Sequence, residues 1–110
     1  MILSLLELTP IPGKRGEILR LFRFCVDGLR AKQGCLGSGV YEADDRNETI
    51  LYIERWRSSE EMHRHIQSTL YLGVLTAMDL ANSPPEIRFY EVSDTKSMEL
   101  ISALRSSGVA

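Results

Sequence analysis

The sequence predicts an α+β domain of ferredoxin-like order, β-α-β-β-α-β, with one more helix at its C-terminal end. Three observations predict it. A long helix-period apolar stripe follows a first apolar strand, two strands flank a polar turn, and a Ser-x-x-Glu motif opens a second helical stretch that leads into a fourth strand. With 110 residues, 44% hydrophobic and 25% charged, the chain has the make-up of one globular domain. A chain of 12.4 kDa buries roughly two-thirds of its unfolded surface, enough for one core and not for two. Residues 1–110 are therefore expected as a single domain, with the core unit over 2–92, a C-terminal helix over 94–105 and a flexible tail over 106–110.

Ile2 to Thr9 is apolar on both faces, as a central strand covered on both sides should be. Pro10 stops it and Pro12-Gly13 makes the turn. From Lys14 to Lys32, the residues Ile18, Leu21, Phe22, Cys25, Val26 and Leu29 repeat on one helix face, and Gln33-Gly34 closes that helix. Cys35 to Ala43 reads as a strand in which Gly37 and Gly39 mark a bulge or a close approach by another group. Asp44-Asp45-Arg46-Asn47 is a polar turn, and Thr49 to Trp56 completes a hairpin. Ser58-Ser59-Glu60-Glu61 is a capping box. The helix it opens runs to about Ala81, with weak points at Ser68-Thr69 and at Gly73. Asn82-Ser83-Pro84-Pro85 ends it, and Ile87 to Val92 forms the fourth strand. Asp94 caps a last helix with a narrow stripe of Met98, Ile101 and Leu104.

Alternation puts Ile50, Tyr52, Glu54 and Trp56 on one face of the third strand and Leu51, Ile53 and Arg55 on the other. Both faces carry large apolar groups. Two long helices cover only one of them, so the second is expected to pack on another subunit, as a homodimer.

Several function classes are excluded. The 13 basic and 15 acidic side chains leave a net charge of -2, which gives no global attraction for nucleic acid. No apolar run approaches the roughly 20 residues of a membrane span. Met1 to Leu8 lacks the basic flank and cleavage site of a secretory leader and contains Glu7. Cys25 and Cys35 form no CxxC and read as reduced thiols of a cytoplasmic protein. His63 and His65 lie about 200° apart on a helix and cannot share a metal. Gly37-Ser38-Gly39 lacks the full GxSxG pattern, and Gly13-Lys14 lacks the rest of a phosphate loop. Arg20, Arg23, Arg30 and Lys32 form a solvated helix face.

The remaining candidates cluster around Trp56. A lone tryptophan at a strand end, with Tyr52 and Glu54 on its face, is either a packing anchor or a pocket wall. His65, nine residues on, is a packed group or a base. Arg88 and Tyr90 share a face of the fourth strand, where an arginine serves as a surface residue, a dimer salt bridge or a substrate clamp.

Four short runs, Pro12-Gly13-Lys14, Gln33-Gly34-Cys35-Leu36, Ile53-Glu54-Arg55-Trp56 and His65-Ile66-Gln67-Ser68, occur in an order and spacing that resembles the antibiotic biosynthesis monooxygenase family over about residues 2–92. The resemblance implies a dimeric α+β barrel in which two sheets face each other and each subunit keeps an apolar pocket. It also implies activities ranging from cofactor-free quinol or hydroxyanthrone oxygenation to haem degradation. Haem-degrading members use an asparagine on the first strand. None occurs here before Asn47, which disfavours that branch. Antibiotic-pathway members place an asparagine about four residues before the tryptophan, where this chain has Tyr52.

The resulting expectation is a metal-free and flavin-free monooxygenase, using no cofactor, that acts on a small electron-rich hydroxy-aromatic. His65 would be the base, Tyr52 or Arg88 the oxyanion donor, Trp56 the pocket wall, and Glu54, Arg88 and Tyr90 the substrate contacts. The competing expectation is a non-catalytic dimer that binds a small aromatic metabolite.

Overall fold

The computed structural model describes residues 1–106. Strands β1 (Ile2–Leu8), β2 (Cys35–Glu42), β3 (Ile50–Trp56) and β4 (Glu86–Glu91) form one sheet in the order β2-β3-β1-β4. Each neighbouring pair is antiparallel. Helices α1 (Arg15–Leu29), α2 (Ser59–Ile66), α3 (Leu72–Asp79) and α4 (Met98–Ser106) complete the described residues, with a 3-10 turn at Thr69–Tyr71. This is the α+β, ferredoxin-like architecture that the element order predicts.

The period of two along the central strands decides where the core lies. Ile2, Ser4, Leu6 and Leu8 of β1 and Ile50, Tyr52, Glu54 and Trp56 of β3 are buried on the helix side. Leu3, Leu5, Leu51 and Ile53 are only half-buried on the other side, next to exposed Glu7 and Arg55. Helix α1 contributes Ile18, Leu19, Phe22, Cys25 and Leu29 to the core. Leu21 and Val26, expected on this stripe, flank it half-buried. The Phe22 ring stacks on Tyr52 with centroids 4.5 Å apart, which fixes α1 over β3.

Two boundaries differ from expectation, at the end of α1 and the start of α4, and one of the two expected weak points in the second helix does break it, each for a local reason. Helix α1 ends at Leu29 instead of Lys32, because its last turn tightens into three-residue spacing: Arg30 N–H donates to Asp27 and Lys32 N–H to Leu29. The long second helix breaks at Ser68, whose hydroxyl donates to the His65 carbonyl at 2.6 Å and competes with the helical ladder. Gly73 does not break it. It lies inside α3, where its missing side chain admits Cys25 Sγ. The last helix starts at Met98, not at Asp94. Asp94 turns its carboxylate to the Thr95 N–H and to Lys96, so it holds an extended segment instead of capping a helix. Of the expected tail, Ser106 closes α4 and residues 107–110 lie outside the described region.

The bulge expected around Gly37 is present. The β2–β3 register shifts between Cys35 and Gly37, and the Arg55 guanidinium lies against Gly37 where a side chain would stand.

Candidate active site

The site grows from β3. Tyr52, Glu54 and Trp56 follow one another at every second position, so all three project under the helices and are almost wholly buried. Two residues further on, the chain turns into α2. Ser58 is its N-cap, and its Oγ accepts the Glu61 N–H at 3.3 Å. Glu61, Met62 and His65 are the buried residues of this helix and share one face. That face sets the His65 ring over the end of β3.

Glu54 is the hub of the resulting network. Its Oε1 accepts from Trp56 Nε1–H at 2.9 Å. Its Oε2 accepts from the Tyr52 hydroxyl at 2.7 Å and lies 3.0 Å from His65 Nε2. A carboxylate only accepts, so Nε2 carries a proton and donates. The other imidazole nitrogen, Nδ1, is buried and has no hydrogen-bond partner among the described residues. The His65 ring stacks on Trp56 with centroids 5.0 Å apart and meets the edge of Tyr71 at 5.3 Å. Burial first, and then the charge of Glu54, raises the Tyr52 phenol far above its ordinary range, so it stays a neutral donor. The same two causes push Tyr71 up to about 12.

A cavity of about 230 Å³ adjoins this network, lined by Lys32, Gln33, Trp56, Glu61, Arg64 and His65. Gly34 shapes its rim. With φ +86, a left-handed conformation that favours glycine, it leaves the space that the Glu61 carboxylate fills. Arg57 holds that carboxylate at 2.6 and 3.0 Å. The guanidinium lowers the Glu61 pKa against the opposing effect of burial.

The structure brings His65, Trp56, Tyr52 and Glu54 together. It does not bring Arg88 and Tyr90 to them. Arg88 pairs with Leu5 and Tyr90 with Leu3 across β1, so both lie on the opposite face of the sheet. There they line a separate groove of about 100 Å³ with Leu5, Glu7 and Glu86. Neither lines the His65 cavity, so within this chain the expected substrate contacts Arg88 and Tyr90, and Arg88 as an oxyanion donor, are not brought to His65. Alternation did hold the signal, since apolar Ile87 and Phe89 pair with the helix-side residues Leu6 and Ser4 and so put Arg88 and Tyr90 on the other face. Tyr52 and Glu54 also differ in detail from expectation. The Tyr52 hydroxyl and both Glu54 oxygens are occupied by protein partners and do not point to substrate. The sequence reading did not anticipate Lys32, Glu61, Arg64 and Tyr71 around the site. Only Glu61 had a signal, its place in the capping box, and that motif assigned its carboxylate to the backbone instead of to Arg57.

A ferredoxin-like sheet with a buried histidine–carboxylate pair beneath its helices defines the class of this chain as a small α+β protein. The chain belongs to the antibiotic biosynthesis monooxygenase family, which it matches over residues 1–75. It is 26% identical over 88 residues to the uncharacterized protein sll1783 of Synechocystis, a match covering 79% of this chain and 60% of that relative. The chain thus spans less than two-thirds of that relative's length. Among solved structures, Rv0793 of Mycobacterium tuberculosis superposes with a TM-score of 0.78 at 24% identity, covering 87% of this chain and 98% of that one. A candidate antibiotic biosynthesis monooxygenase of Deinococcus radiodurans gives 0.78 at 21% identity, with 88% and 97% covered. At those identities the two structures speak for the fold. No helix of the described residues is long and apolar enough to cross a membrane.

Proposed function

We propose that the chain is a monooxygenase that oxidises a small electron-rich hydroxy-aromatic with O₂, with no cofactor. One observation carries this reading: His65 Nδ1 is buried and unpartnered, in a ring whose other nitrogen is held by Glu54, beside a cavity walled by Trp56. The Nδ1 lone pair accepts the phenolic proton, and the Glu54 carboxylate balances the imidazolium that forms. The phenolate passes an electron to O₂, the two radicals combine at a ring C–H carbon, and His65 returns its proton to the peroxide. Loss of water then leaves the quinone. One oxygen atom ends as the new carbonyl and the other as water. The substrate supplies all four electrons, so no external reductant enters the balance. At about 230 Å³ the cavity is smaller than the roughly 300–1,000 Å³ of sites for drug-sized ligands. That size favours a one-ring phenol or quinol over a tricyclic anthrone.

The same reading includes a homodimer. The half-buried Leu3, Leu5, Leu51 and Ile53 on the uncovered sheet face support a twofold partner there, and the family resemblance points the same way.

Oxygen uptake with a panel of quinols and anthrones, with and without chelator, tests the activity. Turnover is expected to be chelator-independent and to fall at least about 100-fold in His65→Gln. A rate no greater than buffer across the panel would overturn it. A second reading, non-catalytic binding of an aromatic metabolite, is favoured by how closed the network is, with His65 and Glu54 side chains only 1% and 2% exposed. A ligand that raises the melting temperature and is recovered unchanged after long incubation in air decides for binding.

A further inference from the structure

We infer that the cavity beside Trp56 takes an aromatic ligand that carries an anionic group as well as a hydroxyl, a hydroxyaryl carboxylate. This rests on the reading above only in taking that cavity as the site. Trp56 and His65 line the cavity, and the buried His65 Nδ1 without a partner lies in that wall, where a small opening of the ring would let it meet a hydroxyl.

The cavity also has a charged lining. Lys32 and Arg64 both line it, and Lys32 has no acidic partner among the described residues. Arg64 gives one nitrogen to Glu60 at 3.2 Å, an exposed pair one helical turn back on α2, its charge also acts on Glu61, and its guanidinium has further N–H groups. The acidic residue of the wall, Glu61, is already committed, since Arg57 and the Ser58 hydroxyl hold its carboxylate. Lys32, Arg57 and Arg64 stand against Glu60 and Glu61 here, so the cavity lining with its ion-pair partners keeps a net positive charge beside the Trp56 and His65 rings. A ligand with an anion at one end of a ring and a hydroxyl on the ring satisfies both at once. A neutral phenol leaves the cations to water.

The probe pair is 4-hydroxybenzoate and 4-hydroxybenzamide, which share ring and hydroxyl and differ in the charge. Calorimetric titration at low ionic strength should show the acid binding about 10-fold more tightly, since each half-exposed ion pair is worth about 2–5-fold. The preference should shrink at 1 M salt, where the screening length is about 3 Å. It should vanish in the double variant Lys32→Gln, Arg64→Gln, with circular dichroism confirming the fold. Benzoate, which lacks the hydroxyl, should bind more weakly than 4-hydroxybenzoate to the wild-type protein and equally to His65→Gln. Equal affinity for acid and amide, a preference that survives the double variant, or no binding of either probe at millimolar concentration overturns the inference. The probes report binding alone. Charge preference without oxygen uptake on any quinol sinks the oxygenase reading and leaves this one standing. Oxygen uptake on neutral quinols without charge preference does the reverse.

Discussion

At the scale of single residues, the Glu54 carboxylate is buried under three donors, the Tyr52 hydroxyl, the Trp56 indole and the His65 imidazole. Replacing it by glutamine keeps the volume but puts an amide N–H₂ opposite at least one of those donors, whichever way the amide turns. Glu54→Gln is expected to cost about 2–4 kcal/mol in urea unfolding, and Tyr52→Phe about 1.5–2 kcal/mol for one lost hydrogen bond to a charged group. A Glu54→Gln protein within 0.5 kcal/mol of wild type would mean that the network contributes little. The second residue-scale prediction concerns Cys25. Burial, and then the charge of Glu54, pushes its thiol up to about 11 from an ordinary value of 9.0. Above pH 9 the unfolded chain gives up this proton and the folded chain keeps it, so stability declines as pH rises from about 9 to about 11. Cys25→Ala should flatten that alkaline limb. In native protein at pH 8, iodoacetamide should label half-buried Cys35 and spare Cys25. Labelling of both at equal rates would show that the core around Cys25 opens readily.

At the scale of elements, α2 is joined to the β2 entry by one cluster: the Gly34 turn, the Glu61 carboxylate above it, and Arg57 and Ser58 holding that carboxylate. The Arg57 N–H also donates to the Gly34 carbonyl at 2.8 Å. Because the Arg57 guanidinium depresses the Glu61 pKa in the folded state, the stabilisation is present above the ordinary carboxylate value of 4.5 and is lost as pH falls through the folded one. Glu61→Gln should therefore lower stability at pH 7 and make the loss between pH 5 and pH 3 shallower. A slope identical to wild type would place the acid sensitivity elsewhere. The elements themselves were legible in the sequence because each has a local cause: the apolar stripe of α1, the alternation of β3, the serine before α2. The Glu54 network was legible only in part. Alternation put Tyr52, Glu54 and Trp56 on one face, but which of them bonds to His65 depends on how α2 lies over the sheet. The closure of Gly34 over Glu61 joins residues 27 positions apart in the chain, and no local pattern contains it.

At the scale of the whole molecule, the sheet has one covered and one open face, and α4 leaves the large apolar Met98, Leu100 and Ile101 exposed. Two apolar surfaces without cover in one small chain are what a twofold assembly removes. Light scattering at micromolar concentration should give about twice the chain mass of 12.4 kDa. The buried interface should exceed about 2,000 Å². Truncation after Ser93 should weaken the dimer while leaving the sheet's thermal transition in place, because α4 adds nothing to the core. A stable monomer under those conditions sinks the dimer, and a truncated chain that no longer folds shows that α4 belongs to the domain itself. The apolar residues on both faces of β3 made the open surface visible in the sequence. The start of α4 was not visible, since an aspartate before a helix and one in an extended turn look alike until its hydrogen bonds are known.

The Glu54 hub also constrains descent. Three of its four members occupy alternate positions of one strand, and the fourth reaches in from the next helix. All three donors meet in the Glu54 carboxylate, so removing that carboxylate strands the three together, and removing it along with a donor costs less than the sum. Single replacement of Glu54 is therefore expected to be selected against. Replacement there should come in sets, an apolar side chain for the carboxylate arriving with apolar substitutes for its donors, and intermediates carrying half a set should be rare.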